Sequence, residues 1–268
     1  MKKRGAEMKS ELRFLTPNQV ALVELNHLAS DDLFNDDRTY SRINYQLNPS
    51  ANTQIEITGE YASDTNYFED LSQSTNESSR THLTRDIVFK SFDKNWILNV
   101  GMTNYQMLDD QPKCLAIGVC EQNDPYRLKP YVNFNGNWQS KESDINFNID
   151  SEIIFFDHLQ SESGRRLKNR TTLSKIFNHS GIEVKPSLGL DYAKFESDSN
   201  KDDTKRTIPI YSLDIKANLI RISDDGDIRH SLQPRVMAVH IKYEDQSDFP
   251  FIDTIIPDFN YFQLFNQN

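Results

Sequence analysis

The segment Thr53-Gln54-Ile55-Glu56-Ile57-Thr58-Gly59-Glu60-Tyr61 alternates strictly between two kinds of side chain. Ile55, Ile57 and Tyr61 share one face with Gly59, and the other face carries only polar residues, Gln54, Glu56, Thr58 and Glu60. A period of two with one apolar face is typical of a β-strand that is buried on one side. The segment therefore predicts a strand whose two faces meet different environments.

The same pattern recurs along the chain. It is clearest in three further segments, Arg127–Trp138, Asp144–Phe155 and Ile182–Tyr192. Counting every such segment gives about twelve strands between Gly5 and Tyr243. The predicted fold class is all-β.

The predicted connections alternate between short and long. The short ones are Thr16–Gln19, Asn48–Asn52, Phe92–Asn95, Gln139–Ser143, Asn178–Gly181 and Ser223–Asp227. The long ones are Ala29–Asp37, Ser63–Arg80, Asp109–Tyr126, Asp157–Arg165, Glu196–Arg206 and the chain from Glu244 onward. In an up-and-down antiparallel sheet, this places all long loops on one side, as in transmembrane β-barrels with short periplasmic turns and long extracellular loops.

The bulk composition is polar, with a mean hydropathy of -0.68 and a net charge of -10 over 268 residues. The sequence has no apolar run of about eighteen residues, so a transmembrane helix is not expected. A wide barrel tolerates this composition because only every second strand residue faces lipid. The negative charge makes nucleic acid an improbable partner.

Three details favour apolar faces that point outward to lipid. The strands have the roughly nine to eleven residues that a tilted crossing needs. Their polar faces carry charges of both signs, as a watery lumen allows. Aromatic residues gather near strand ends as interface girdles would, at Tyr61, Trp96, Tyr105, Trp138, Phe155, Phe156 and Tyr243. Prolines inside predicted strands, Pro130, Pro186, Pro209 and Pro234, predict bulges or weak pairing.

Cys114 and Cys120 lie in one long loop. They predict either a small local disulfide or two independent thiols, and a metal site is less favoured because no histidine lies near them. The chain predicts no cofactor and no catalytic site. Its six histidines are dispersed, and none of the common hydrolase or phosphate-loop motifs occurs.

Both ends of the sequence suggest an internal fragment. Met1-Lys2-Lys3-Arg4 is followed by polar residues instead of the apolar core of a signal peptide, and the last residues, 262–268, fall in a predicted loop.

Several short motifs, in order, resemble the LptD family of lipopolysaccharide-assembly proteins. The early ones lie around Gly5-Ala6-Glu7, Phe14-Leu15, Ser30-Asp31 and Ser63–Leu71, and the later ones are Leu232–Arg235 and Tyr243–Ser247. The residues that carry the resemblance are Gly5, Glu7, Phe14, Asp31, Tyr67, Phe68, Pro234, Arg235, Tyr243, Asp245, Gln246 and Ser247. Taken together, they span nearly the whole chain.

The resemblance implies that residues 1–268 are the middle part of a large outer-membrane β-barrel, with a jelly-roll domain before them and closing strands after them. It implies assembly of lipopolysaccharide into the outer leaflet of a Gram-negative outer membrane. It also implies an LptE-type plug lipoprotein, an LptA-type periplasmic bridge, lipopolysaccharide and membrane lipid as partners. The signature residues would then be structural.

Three alternatives remain open on the sequence alone. A general porin or adhesin barrel would close on itself, and a soluble carbohydrate-binding sandwich would need no detergent. An outer-membrane hydrolase would require a catalytic histidine, for which His27 beside Asp31, or His158, is the candidate.

Overall fold

The computed structural model describes residues 4–72, 74–108, 124–158, 162–199, 203–222 and 229–249, and the backbone of 113–114 and 120–121. In these residues the chain forms strands and two short helices, α1 (Tyr67–Leu71) and α2 (Thr75–Ser78). The strands are β1 (Glu7–Thr16), β2 (Gln19–Asp31), β3 (Asp36–Ser50), β4 (Thr53–Ala62), β5 (His82–Asp93), β6 (Trp96–Met107), β7 (Lys113–Cys114), β8 (Cys120–Glu121), β9 (Arg127–Gln139), β10 (Ile145–Asp157), β11 (Gly164–Lys175), β12 (Phe177–His179), β13 (Ile182–Ser197), β14 (Thr204–Ala217), β15 (Leu219–Ile222), β16 (Arg229–Leu232) and β17 (Arg235–Ile241).

The strand order of the main sheet follows the sequence: β1-β2-β3-β4-β5-β6-β9-β10-β11-β13-β14-β17, with β12 paired to β13. This antiparallel sheet of about twelve strands confirms the predicted all-β class. β1 and β17 stand at the two ends of the order, so the sheet formed by the described residues is not closed. Among the described helices, none has the length and apolar character needed to cross a membrane.

The chain divides into two compact units. Unit 1 comprises Met1–Asp93, Ile97–Val132 and Ile154–Gly164, and unit 2 comprises Lys94–Trp96, Asn133–Ile153 and Arg165–Asn268.

In unit 1, the register of the strands produces one apolar face and one polar face. Leu12 lies opposite Val23, and Val23 lies opposite Ile43 on the next strand. One residue along, Glu24 lies opposite Arg42, and Arg42 lies opposite Glu60. Ile43 is 40% exposed, so the apolar row faces away from the interior of the unit. This agrees with the predicted outward orientation.

Unit 2 also alternates between an exposed and a buried face, but its buried face is mixed in polarity. Leu188 is 57% exposed, whereas its neighbour Ser187 is only 8% exposed. Leu188 lies opposite Tyr211 on β14, which lies opposite His240 on β17. Ile208 and Ile210 are buried on the other face.

Aromatic rings follow one another near the short turns of unit 2. Ring centroids are 6.2 Å apart for Trp96 and Phe134, 6.3 Å for Phe134 and Trp138, and 5.9 Å for Trp138 and Phe147. This row is placed as an interface girdle would be. Phe156, predicted for such a girdle, is instead buried against Tyr126, because consecutive strand residues point to opposite faces.

The predicted long loop Ala29–Asp37 is wrong. β2 continues to Asp31 and β3 begins at Asp36, so only residues 32–35 form a turn. The backbone N–H groups of Phe34 and Asn35 donate to the Asp31 carbonyl, and the carboxylate of Asp31 accepts from the N–H of Leu33. An aspartate that satisfies the turn in this way lets the strands extend further than composition suggests.

The prolines behave differently from one another. The β13–β14 register runs without a shift through Pro186 and Pro209, so neither proline forms a bulge between these two strands. An antiparallel ladder uses the N–H groups of alternate residues toward a given neighbour, which leaves positions for proline. Pro234 does interrupt the sheet, since β14 and β17 pair only as far as Arg235 and β15 and β16 form a separate sheet. The predicted turn Ser223–Asp227 lies outside the described residues.

A substitution at Leu83 tests the assignment of the hydrophobic core of unit 1. Leu83 is fully buried in a cluster with Tyr40, Ala62, Phe68 and Leu108. We expect Leu83→Ala to lower the free energy of unfolding by about 2–5 kcal/mol, because truncation leaves a cavity. Urea unfolding of the detergent-solubilised protein measures the loss. Leu12→Ala, at a site that is 66% exposed, is the control, and an equal loss in both would contradict the assignment of the core.

Candidate functional site

The loop between β4 and β5 folds back over the ends of the strands in unit 1. Its helix α1 buries Tyr67 and Phe68 against Tyr40, with ring centroids 5.9 Å and 5.1 Å from that of Tyr40. Leu71 packs against the same cluster. A five-residue helix has little stability of its own, so these buried rings hold the loop in place.

A buried ion network fixes the other side of this loop. Arg38 has a side chain with no exposed surface and donates to Asp64 through Nε at 3.0 Å and Nη2 at 2.6 Å. Its Nη1 donates to Asp70 at 2.8 Å and to Asp31 at 3.3 Å. Two of these carboxylates belong to the loop and one ends β2. The planar guanidinium therefore ties the loop to the strands, a geometry that lysine cannot reproduce.

A second cation completes the network. Arg4 donates to Asp31 at 2.9 Å and lies 3.0 Å from Asp70. Gly5, which follows it, has a φ of 117°, a backbone conformation open mainly to glycine. Two arginines thus face three aspartates, which leaves one net negative charge in the network.

A second ion pair lies beneath α1. The Tyr40 hydroxyl donates to Glu60 at 2.8 Å, and Arg80, at the end of the loop, donates to the same carboxylate. The Arg80 guanidinium also lies 4.9 Å from the Phe68 ring centroid. Burial is the largest single effect and lowers the pKa of Arg80, but the hydrogen bond and charge of Glu60, together with Tyr40, raise that pKa above its ordinary value.

These elements enclose a cavity of about 400 Å³. Strands β1, β2 and β3 supply one side of the cavity, and loop residues 67–80 supply the other. Its charged lining comprises the acids Glu7, Glu11, Glu24 and Glu77 and the cations Lys9, Arg42 and Arg80. Tyr67 also lines the cavity, and its buried hydroxyl makes no hydrogen bond of good geometry among the described residues.

A separate ion pair stands at one end of β17 in unit 2. Arg235 binds Asp214 in a bidentate manner, with Nε at 2.9 Å from one carboxylate oxygen and Nη2 at 2.7 Å from the other. The carbonyl of Pro234 accepts a hydrogen bond from the N–H of Ala217. The pair thus closes the β14–β17 ladder where Pro234 interrupts it.

Comparison with known proteins gives a consistent result. Residues 36–268 match the family model described as "LptD: LPS transport system D". The chain belongs to the LptD family. This is a family of transport and assembly proteins of the Gram-negative outer membrane, and its members are not enzymes.

Individual relatives carry the name "LPS-assembly protein LptD". The protein of Aromatoleum aromaticum is 27% identical over all of this chain and 34% of its own length. The protein of Thiobacillus denitrificans is 28% identical over all of this chain and 36% of its own length, and that of Shewanella frigidimarina is 28% identical over 99% and 35%. The chain thus spans about a third of the curated relatives it matches.

The structure brings together five of the residues that carry the resemblance to LptD. Gly5, Glu7, Asp31, Tyr67 and Phe68 all border the ion network or the cavity of unit 1. Phe14 is not part of this group, because it lies on the exposed apolar face of β1. That these residues form a structural signature stays a prediction.

The later residues lie in unit 2. Tyr243 is 85% exposed. Beyond it, the Asp245 carboxylate accepts the N–H of Ser247 at 3.0 Å, which lowers the pKa of Asp245, and Gln246 accepts a hydrogen bond from Arg206. These contacts order the start of the chain that follows β17.

The cysteine and histidine hypotheses have different outcomes. The backbone register places Cys114 opposite Cys120 in the β7–β8 pair, and the local disulfide stays a prediction. The His27–Asp31 dyad is wrong, because Nδ1 of His27 lies 2.9 Å from the Thr39 hydroxyl and Asp31 binds the arginines. Nε2 of His158 lies 3.0 Å from the carbonyl oxygen of Asp124.

Sequence patterns did not identify Arg38, the central residue of the ion network that holds the loop between β4 and β5. Arg38 directly follows the paired aspartates Asp36 and Asp37, but its partners Asp64 and Asp70 are 26 and 32 residues away. The available signal was an arginine beside paired aspartates at a strand end. This pattern does not show which carboxylates of the distant loop bind the arginine.

Arg38→Gln tests the ion network. Removing the guanidinium leaves buried carboxylates without their partner, and we expect a loss of about 3–5 kcal/mol in the free energy of unfolding. We also expect faster tryptic cleavage after Arg80 as the loop detaches. Arg13→Gln, which removes an exposed pair with Glu11, should leave the free energy of unfolding nearly unchanged, because solvent screens such a pair. Equal protease resistance of Arg38→Gln and the parent protein would refute the anchoring role.

Proposed function

We propose that the whole protein to which this chain belongs assembles lipopolysaccharide in the outer leaflet of the outer membrane. The observation that carries the proposal is the match to the LptD family over residues 36–268. The relatives it resembles are named for lipopolysaccharide assembly.

Within that protein, residues 1–268 form part of the wall of a larger barrel. The order of the sheet supports this role, because β1 and β17 each have one edge free of neighbouring strands among the described residues. A free edge in a membrane carries unsatisfied backbone groups, and further strands on each side would satisfy them. We propose in addition that a jelly-roll domain precedes this segment in the whole protein and that the strands that close the barrel follow it.

The two faces of the wall match the two parts of the substrate. The apolar row of Leu12, Val23 and Ile43 suits lipid tails, and the charged row of Glu24, Arg42 and Glu60 suits a watery lumen. An amphiphile with a saccharide and acyl chains needs these environments side by side. The wall supplies them without any chemical step.

Two specific protein partners are also part of the proposal. An LptE-type plug lipoprotein would face the polar surface inside the barrel, where the loop of residues 63–80 folds inward. An LptA-type periplasmic bridge would reach the protein through the domain that precedes the barrel.

A complementation experiment tests the function. The full-length protein is depleted in its host and replaced by an Ile43→Lys variant or by its neighbour control, Asn44→Lys. Lysine at the centre of the lipid face costs about 2–4 kcal/mol, whereas lysine on the lumen face is tolerated. We expect Ile43→Lys to reduce the folded protein in the outer membrane and the lipopolysaccharide on the cell surface, and Asn44→Lys to restore both.

Two results would contradict the proposal in different ways. Unchanged surface lipopolysaccharide after full depletion would refute the assembly function and favour a general porin. Equal effects of the two lysine variants would refute the assignment of lipid and lumen faces while leaving the function intact.

A further inference from the structure

The cavity of unit 1 has the size and the unused polar group of a ligand site. Its volume of about 400 Å³ lies in the range of small-molecule pockets. The Tyr67 side chain, only 4% exposed, lines it, and its buried hydroxyl makes no hydrogen bond of good geometry among the described residues, with the Asn26 side chain as a polar neighbour. A buried hydroxyl without a partner is costly, so a ligand that binds it would recover free energy.

The protonation state of Tyr67 defines what that hydroxyl can do. Burial is the largest cause of the rise in the pKa of Tyr67 to about 12, the charge of the nearby Glu7 is the next, and the side chain of Asn26 opposes the rise. The phenol therefore stays protonated at physiological pH. It can donate one hydrogen bond to a ligand oxygen and accept another.

The charges that line the cavity argue against an anionic ligand. Each lining cation already faces a carboxylate: Lys9 lies 3.3 Å from Glu7, Arg42 lies 3.7 Å from Glu24, and Arg80 binds Glu60. Glu11 in the lining is itself paired with Arg13, and Glu77 adds one further acid. A phosphate group would meet paired cations and surplus negative charge, so phosphate binding is disfavoured.

The same lining argues against an acyl chain. An acyl chain would bury the charged groups of three strands without replacing their hydrogen bonds to water. The side chains of Asn26 and Ser72 add a neutral amide and a hydroxyl, and Tyr40 and Phe68 add aromatic rings. Neutral ligands with many hydroxyl groups match a site that combines carboxylates, amides and rings.

We propose that the cavity between β1–β3 and the loop of residues 63–80 binds a neutral, unphosphorylated saccharide. This proposal rests on the proposed function. The subsite would bind the sugar part of lipopolysaccharide and would not bind its phosphorylated part. Tyr67 donates to a sugar hydroxyl, and the carboxylates of Glu24 and Glu77 accept from others. The Arg38 network holds the loop that forms one wall of the site.

The test is a binding measurement on the full-length protein in a polyoxyethylene detergent, which has no sugar head group to compete. The probes are the oligosaccharide released from the host's own lipopolysaccharide by mild acid and the same material after removal of its phosphates. Saturation-transfer NMR titration gives the affinity for each probe. We expect the dephosphorylated oligosaccharide to bind at least as tightly as the phosphorylated one.

Two variants locate the binding. Tyr67→Phe keeps the ring and removes only the hydroxyl, and we expect about twofold to tenfold weaker binding of the dephosphorylated probe. Tyr61→Phe is the matched control, because Tyr61 is exposed on the apolar face and its change should leave binding unaltered. Unfolding curves for both variants show whether the fold is retained.

Any of three results would overturn the subsite: no binding of either probe, tighter binding of the phosphorylated probe, or equal binding by Tyr67→Phe and the parent protein. The complementation experiment stands apart from this test. A failed subsite with surface lipopolysaccharide still dependent on the protein would leave the proposed function intact.

Discussion

The antiparallel hydrogen-bonded ladder is the constraint on which the rest of this structure depends. Hydrocarbon offers no partner for backbone N–H and C=O groups, so each strand must pair with the next throughout its length. That pairing fixes the register, and the register sends alternate side chains to opposite faces. The row from Leu12 through Val23 to Ile43 and the row from Glu24 through Arg42 to Glu60 are therefore consequences of one pairing scheme.

The buried ion network around Arg38 holds the loop between β4 and β5 in place. A long polar loop between β4 and β5 has too few apolar residues to pack by burial alone, and α1 spans only five residues. Two rings, Tyr67 and Phe68, supply the apolar contact, and Arg38 supplies a charged contact that reaches both loop aspartates. Buried ions add little net stability, but they specify one arrangement because any other leaves a charge unpaired. The cavity lies between this anchored loop and strands β1, β2 and β3.

Local patterns predicted most of the fold. The alternation in Thr53–Tyr61 gave the strand, its faces and its turn, since all three depend on neighbouring residues. The same reasoning failed at Ala29–Asp37, where the Asp31 backbone and side chain close a turn that composition cannot reveal. Nor could it show that Pro186 and Pro209 leave the β13–β14 register unshifted, because the position of a proline in the ladder depends on its partner strand. The site was harder to predict still, since Arg38 on β3 and Asp70 on α1 are 32 residues apart in sequence and are in contact only in the tertiary structure.

Site-directed spin labelling along β3 tests the central claim most directly. Labels placed one at a time at residues 41–46 of the full-length protein in lipid bilayers report their access to oxygen, which concentrates in lipid, and to a water-soluble nickel complex. The account predicts a period of two, with oxygen access highest at Ser41, Ile43 and Tyr45 and nickel access highest at Arg42, Asn44 and Gln46. Uniform access, or the opposite phase, would contradict a wall with one lipid face and one lumen face.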